Sequence, residues 1–117
     1  MNGLQPFRQV LNSDDNFLGF IRYLHIERGM SNNTLLNYFM DAAQFLSYFP
    51  QLAEEECAWN RVDDMIARRF AMKLSASGLK KTSVNRKLSS MRSFFRFLIR
   101  EKVVNGNPFR MVRGLRT

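Results

Sequence analysis

The stretch KKTSVNRKLSSMRSFFRFLIREK, residues 80–102, decides the fold. Its apolar residues Val84, Leu88, Met91, Phe95 and Leu98 are separated by alternating fours and threes. At ~100° per residue they fall on one face of an α-helix. No Gly or Pro interrupts the run, so it predicts a helix of about six turns at ~3.6 residues each. The opposite face carries Arg86, Ser89, Ser90, Ser93, Arg96 and Arg100. The apolar stripe has to be buried, so the remainder of the chain must supply elements to cover it.

Charge is distributed around this stretch in a telling way. From residue 80 onward there are eleven Lys or Arg against one acid, Glu101, a net of +10. Residues 1–79 hold seven basic and nine acidic residues, net −2, so the whole +8 resides in the last third. A field concentrated on one segment is the electrostatic footprint of a polyanion binder. The hydroxyls and guanidinium groups on the polar face are the side chains that meet phosphates and base edges of DNA.

At 117 residues the chain has the length of one domain, and its eleven Phe are enough for a real core. It has no run of about eighteen apolar residues, and its first fifteen residues lack the pattern of a signal peptide. The basic face lacks the Trp or shallow apolar edge of a membrane-surface helix, so no membrane partner is expected. Cys57 is the single cysteine and His25 the single histidine. That leaves no internal disulfide and no Cys/His cluster for zinc, and points to a reducing compartment. No metal, cofactor or small-molecule ligand is expected. Catalysis is not expected either, because no convergent acid, base and nucleophile can be assembled.

In chain order, residues 1–13 read as a loose lead-in. Ser13 or Asp14 caps a first helix, with Phe17, Phe20, Ile21 and Leu24 inward, His25 at a half-buried edge and Gly29 closing it. Ser31 caps a second, with Leu35, Phe39, Ala42, Leu46 and Phe49 inward, Asn37, Asp41, Gln44 and Tyr48 outward, and Pro50 as the stop. Residues 51–62 form a linker that Trp59 anchors on the core. Asp63 caps a third helix with Ile66, Phe70 and Leu74 inward, and Gly78 ends it. After the long fourth helix the chain turns at Asn105-Gly106, and Pro108 forbids helical continuation. The expected divisions are a lead-in at 1–13, a DNA-binding domain at 14–109, and at 110–117 the start of a linker to a catalytic domain absent from this chain.

Four helices in this order carry a set of motifs: Phe17-Leu18, Tyr23-Leu24, Glu27-Arg28-Gly29-Met30-Ser31, Thr34-Leu35-Leu36-Asn37-Tyr38, Trp59, Gly78-Leu79, Asn85 to Leu98, and Asn107-Pro108. As a set they resemble the N-terminal core-binding (SAM-like) domain of the tyrosine recombinases, the phage-integrase family, and within it the Xer-type recombinases of bacteria. The resemblance implies an all-α bundle of four main helices whose second and fourth helices approach the major groove. DNA contacts are expected at Ser31, Asn33, Thr34 and Asn37, where the start of the second helix offers N–H groups and polar side chains to a phosphate. On the basic fourth helix they are expected at Lys80, Lys81, Thr82, Ser83, Arg86, Lys87, Ser90 and Arg92. The family's catalytic Arg, Lys, His-x-x-Arg and nucleophilic Tyr have no counterpart here, so this chain is expected to bind DNA and not to cut it. Further implications are a duplex recombination site as ligand, a sister recombinase in a heterotetramer, a septal DNA translocase, a cytoplasmic bacterial location, and chromosome dimer resolution at cell division. Two alternatives stay open: the integrase of a mobile element, and a helical protein-interaction module whose basic face binds an acidic partner.

Overall fold

A computed structural model describes residues 3–112. The chain divides into two compact units, Met1–Ala58 and Trp59–Thr117. All regular structure among the described residues is helical.

In the first unit, α1 (Gln5–Leu11), α2 (Asp15–Ile26) and α3 (Asn32–Tyr48) precede a 3₁₀ turn at Pro50–Ala53. The expected caps form: Asp14 Oδ2 accepts the Phe17 N–H at 2.8 Å, and Ser31 Oγ the Thr34 N–H at 3.2 Å. Each satisfies one of the N–H groups that a helix start leaves without a carbonyl. Gly29 follows α2 at φ 63°, in the left-handed region that a Cβ disfavours. α3 packs on both α1 and α2. Edge-to-face pairs fasten α2 to α3, Phe17 with Phe39 at 4.9 Å and Phe20 with Tyr38 at 5.5 Å between centroids.

Three expectations for this unit are corrected. Residues 5–11 are not a loose lead-in but helix α1. Pro6 sits in its first turn, where its missing N–H costs nothing, and Leu11 is fully buried. Seven residues are too few for a helical period to show, so packing rather than pattern defines this helix. Asp41, expected outward, is fully buried together with Ala42, Ala43, Phe45 and Leu46. A helix covered by two neighbours has a buried arc wider than one stripe. His25, expected half-buried, is exposed in the last turn of α2.

In the second unit a 3₁₀ turn at Trp59–Arg61 leads into α4 (Asp64–Ala76) and α5 (Lys81–Arg100). Asp63 Oδ1 caps α4 through the Ile66 N–H at 2.9 Å, and Gly78 at φ 85° makes the turn into α5. Trp59 is buried and meets the edge of Phe94 at 4.7 Å, as expected of an anchor. Phe95 is surrounded by aromatic rings: Phe94 and Phe109, both at 5.6 Å, and Trp59 at 6.3 Å. The predicted stripe on α5 is buried at all five positions, but Phe94, Phe97 and Ser90 are buried too. Trp59 packs on Phe94 and Phe109 on Phe95, so covering groups reach beyond the single stripe. α5 ends two residues short of the expected 102. Lys102 takes the left-handed conformation at φ 62°, and the Val103 N–H reaches back to the Leu98 carbonyl at 2.9 Å. This is a Schellman closure with Lys where Gly is usual.

Segment 107–112 returns onto α5. Phe109 is fully buried and Val112 nearly so. Order on the second unit therefore runs past the expected boundary at 109, and the rest of the expected linker, 113–117, lies outside the described residues.

Candidate nucleic-acid interface

In the second unit the long helix presents a line of polar side chains. Thr82, Arg86, Ser89, Arg96 and Arg100 are exposed and Ser93 is half-exposed, at successive spacings of four and three. At ~100° per residue they cover one narrow face. Lys80 and Lys81 are exposed at the helix start, Ser83 is half-exposed, and no acid lies anywhere in α5. Arg100 is partly engaged: Nε donates to Glu101 Oε2 at 3.3 Å, and the guanidinium lies 5.3 Å from the Phe97 ring centroid. A helix fits the major groove of B-DNA, about 12 Å wide. This face would bring guanidinium forks to phosphates or guanine edges and hydroxyls to either.

Other residues named from the sequence do not join that line. Ser90 is only 7 % exposed, on the side of α5 that packs inward, so the expectation of an outward Ser90 is corrected. It stands about 240° from Val84 at ~100° per residue, inside the arc that Phe94 and Phe97 widened. Lys87 is half-buried. Arg92 is half-buried, and its guanidinium is spent on the protein itself: Nε on the Phe109 carbonyl at 3.1 Å and Nη2 on the Val112 carbonyl at 2.8 Å. Ser89 and Arg96, not among the sequence-derived contacts, are better placed. The signal for them was already in the spacing, since both share the face of Arg86.

In the first unit the start of α3 groups Ser31, Asn33 and Asn37 as exposed side chains, with Thr34 half-buried. Ser31 caps the helix, and its hydroxyl also shares a 3.1 Å hydrogen bond with that of Thr34. The two hydroxyls thus serve the helix start first, and Asn33 and Asn37 are the outward amides.

Tyr38 packs on Phe20, and the Tyr48 hydroxyl accepts from Gln44 Nε2 at 3.3 Å. Among the described residues no three His, Cys, Asp or Glu side chains are placed to hold a metal ion. No helix among them is long and apolar enough to cross a membrane. The Cys57 thiol is pushed up from 9.0 to about 12. Burial is the main cause, followed by the charge of Asp14, a hydrogen bond with it, and the charge of Glu56. Folding therefore favours the thiol over the thiolate. The pH effect has a definite sign: nothing is lost below about pH 9, and stability falls as pH rises from there toward 12. At about pH 7.5 iodoacetamide should alkylate folded Cys57 roughly 100- to 1000-fold more slowly than the urea-unfolded chain, because only the thiolate attacks. Mass spectrometry of a time course measures this, and equal rates would contradict a thiol held protonated by the fold.

These features, a helical chain with a basic long helix and a polar helix start, agree with what the comparisons show. The chain belongs to the phage-integrase family: the family profile of the phage integrase N-terminal SAM-like domain matches residues 17–102. Its curated relatives are tyrosine recombinases of the Xer type. It is 36 % identical over 110 residues to tyrosine recombinase XerC of Syntrophus aciditrophicus (strain SB), covering 89 % of this chain and 35 % of that protein. It is 34 % identical over 89 residues to tyrosine recombinase XerD of Oceanobacillus iheyensis, covering 76 % of this chain and 30 % of the relative. Against tyrosine recombinase XerC of Listeria welshimeri the identity is 38 % over 93 residues, 80 % of this chain and 30 % of the other. The chain thus spans about a third of the length of the curated relatives it matches. No solved structure matches it significantly.

Proposed function

We propose that this chain is the DNA-gripping N-terminal part of a Xer-type site-specific tyrosine recombinase. The observation that carries the reading is the outer face of α5, with Arg86, Arg96 and Arg100 interleaved with Thr82, Ser89 and Ser93 and no acid among them. The face neutralises phosphates and sets the register of the helix in the groove, while the outward amides at the start of α3 supply a second set of polar contacts. The chain itself contributes binding and orientation. Strand exchange would belong to a catalytic domain, where a Tyr hydroxyl attacks the scissile phosphorus and displaces the 5′-hydroxyl. That leaves a 3′-phosphotyrosine, and attack by a 5′-hydroxyl of the partner strand reverses the step with no external energy source. In its cell, the cytoplasm of a bacterium, the protein would resolve chromosome dimers together with a sister recombinase and a DNA translocase at the septum.

The test is the salt dependence of duplex binding, read by fluorescence anisotropy. If about five side chains neutralise phosphates, log K falls with log salt at a slope of roughly −4 to −5. A flat titration between low and moderate salt removes DNA as the ligand. Preference for the chromosomal recombination site over a mobile element's attachment site supports the role in dimer resolution, and the reverse preference assigns the chain to integration.

A further inference from the structure

Arg92 lies on α5 about 80° from Val84 at ~100° per residue, between the buried arc and the basic face. Its side chain reaches from the edge of that face to the segment that follows the helix. Nε and Nη2 donate to the carbonyls of Phe109 and Val112, at 3.1 and 2.8 Å, and Nη1 reaches Ser89 Oγ at 3.4 Å. Asn107 answers from the other side: its Nδ2 donates to the Arg92 carbonyl at 3.0 Å, and its Oδ1 accepts the Phe109 N–H at 3.0 Å. The segment is therefore held by the side chain of residue 92 and holds its backbone in return. Only a planar fork with donors in several directions satisfies two carbonyls and a hydroxyl at once; an ammonium on a flexible stem does not. A guanidinium committed to main-chain carbonyls keeps its charge, but it is not placed to clamp a phosphate.

We propose that Arg92 and Asn107 form a latch that fixes the direction in which the chain leaves α5, and that Arg92 is a positioning residue rather than a DNA contact. Ser89, which Arg92 touches, stands in the same line as Arg86 and Arg96. On the DNA-binding reading, the face laid against the duplex and the departing chain then move as one piece; the latch itself does not rest on that reading.

The test compares Arg92→Lys, Arg92→Gln, Asn107→Ala and Arg86→Gln in the same chain. Two quantities are measured: hydrogen exchange at the amides of Phe109, Arg110 and Val112, and the salt slope of duplex binding. Arg92→Lys and Asn107→Ala are expected to speed exchange at those amides roughly 10- to 100-fold, leaving the middle of α5 protected and the salt slope unchanged. Arg86→Gln is expected to do the reverse, weakening duplex binding, with a slope lowered by about one if it holds a phosphate, and leaving exchange unchanged. Retention of normal exchange in Arg92→Lys overturns the latch, and a slope lowered by about one in Arg92→Gln, which removes the charge, makes Arg92 a phosphate contact. Equal acceleration throughout α4 and α5 also overturns it, since Arg92 would then be an ordinary core residue. If Arg92→Lys does not fold, Asn107→Ala decides by the same comparison. If the wild type binds no duplex at any salt, the DNA reading falls while the exchange data still settle the latch.

Discussion

Phe95→Ala lowers the stability of the protein by about 3–5 kcal/mol, enough to unfold it or leave it barely folded. Phe95 has no exposed surface, and three aromatic rings surround it. Truncation removes the burial of the ring and leaves a cavity beside Trp59, Phe94 and Phe109. Those are rigid aromatic groups on three different parts of the unit, and they cannot collapse together to fill it. Each kcal/mol moves the midpoint of a domain this size by about 4–8 °C, so thermal unfolding followed by Trp59 fluorescence resolves the effect easily. Met72→Ala is the control: Met72 is 70 % exposed on α4, and its loss should stay within about 0.5 kcal/mol. A Phe95→Ala protein that melts with the wild type would mean that the phase of α5 is wrong.

Arg86→Ala weakens duplex binding while leaving the melting temperature nearly unchanged. The side chain is exposed one turn inside α5, in line with Thr82, Ser89 and Arg96. A guanidinium there reaches either two acceptors of one guanine or a phosphate, and the two cases separate cleanly. If it reads a base, the loss is about 1–3 kcal/mol and confined to the cognate site. If it holds a phosphate, all sequences weaken alike and the salt slope falls by about one. Lys87, half-buried at the edge of that face, should follow the second pattern. Anisotropy with cognate and scrambled duplexes at two salt concentrations reads all of this. Wild-type affinity under every condition would remove this face from the DNA interface.

What was legible in the sequence was local. Asp14, Ser31 and Asp63 cap their helices through bonds that span three residues, so the signal and its partner lie together in the chain. Gly29 and Gly78 occupy positive φ for the same local reason. The α5 stripe could be read because a twenty-residue helix repeats its period five times over. What escaped depended on partners distant in sequence. Arg92 looked like one more cation on a basic helix, because its acceptors are 17 and 20 residues away. Asp41 looked outward because the arc closed by two neighbouring helices exceeds any stripe that period alone defines. Ser90 failed in the same manner, since Phe94 and Phe97, its neighbours around the helix, are buried as well.

The start of α5 has a consequence of its own. The other three long helices open on an acidic or hydroxyl acceptor, but α5 opens on Lys80 with no side-chain cap and Lys81 beside it. Both cations sit at the positive end of the helix dipole, where carboxylates are favoured. An Asp or Ser at 80 would strengthen that end by about 0.5–2 kcal/mol, so the natural residue keeps the longest helix below its attainable stability. The first turn of α5 is consequently the part of that helix most sensitive to its surroundings. If a polyanion binds there, as proposed, it supplies the counter-charge this helix start lacks, and the melting temperature then rises with its concentration.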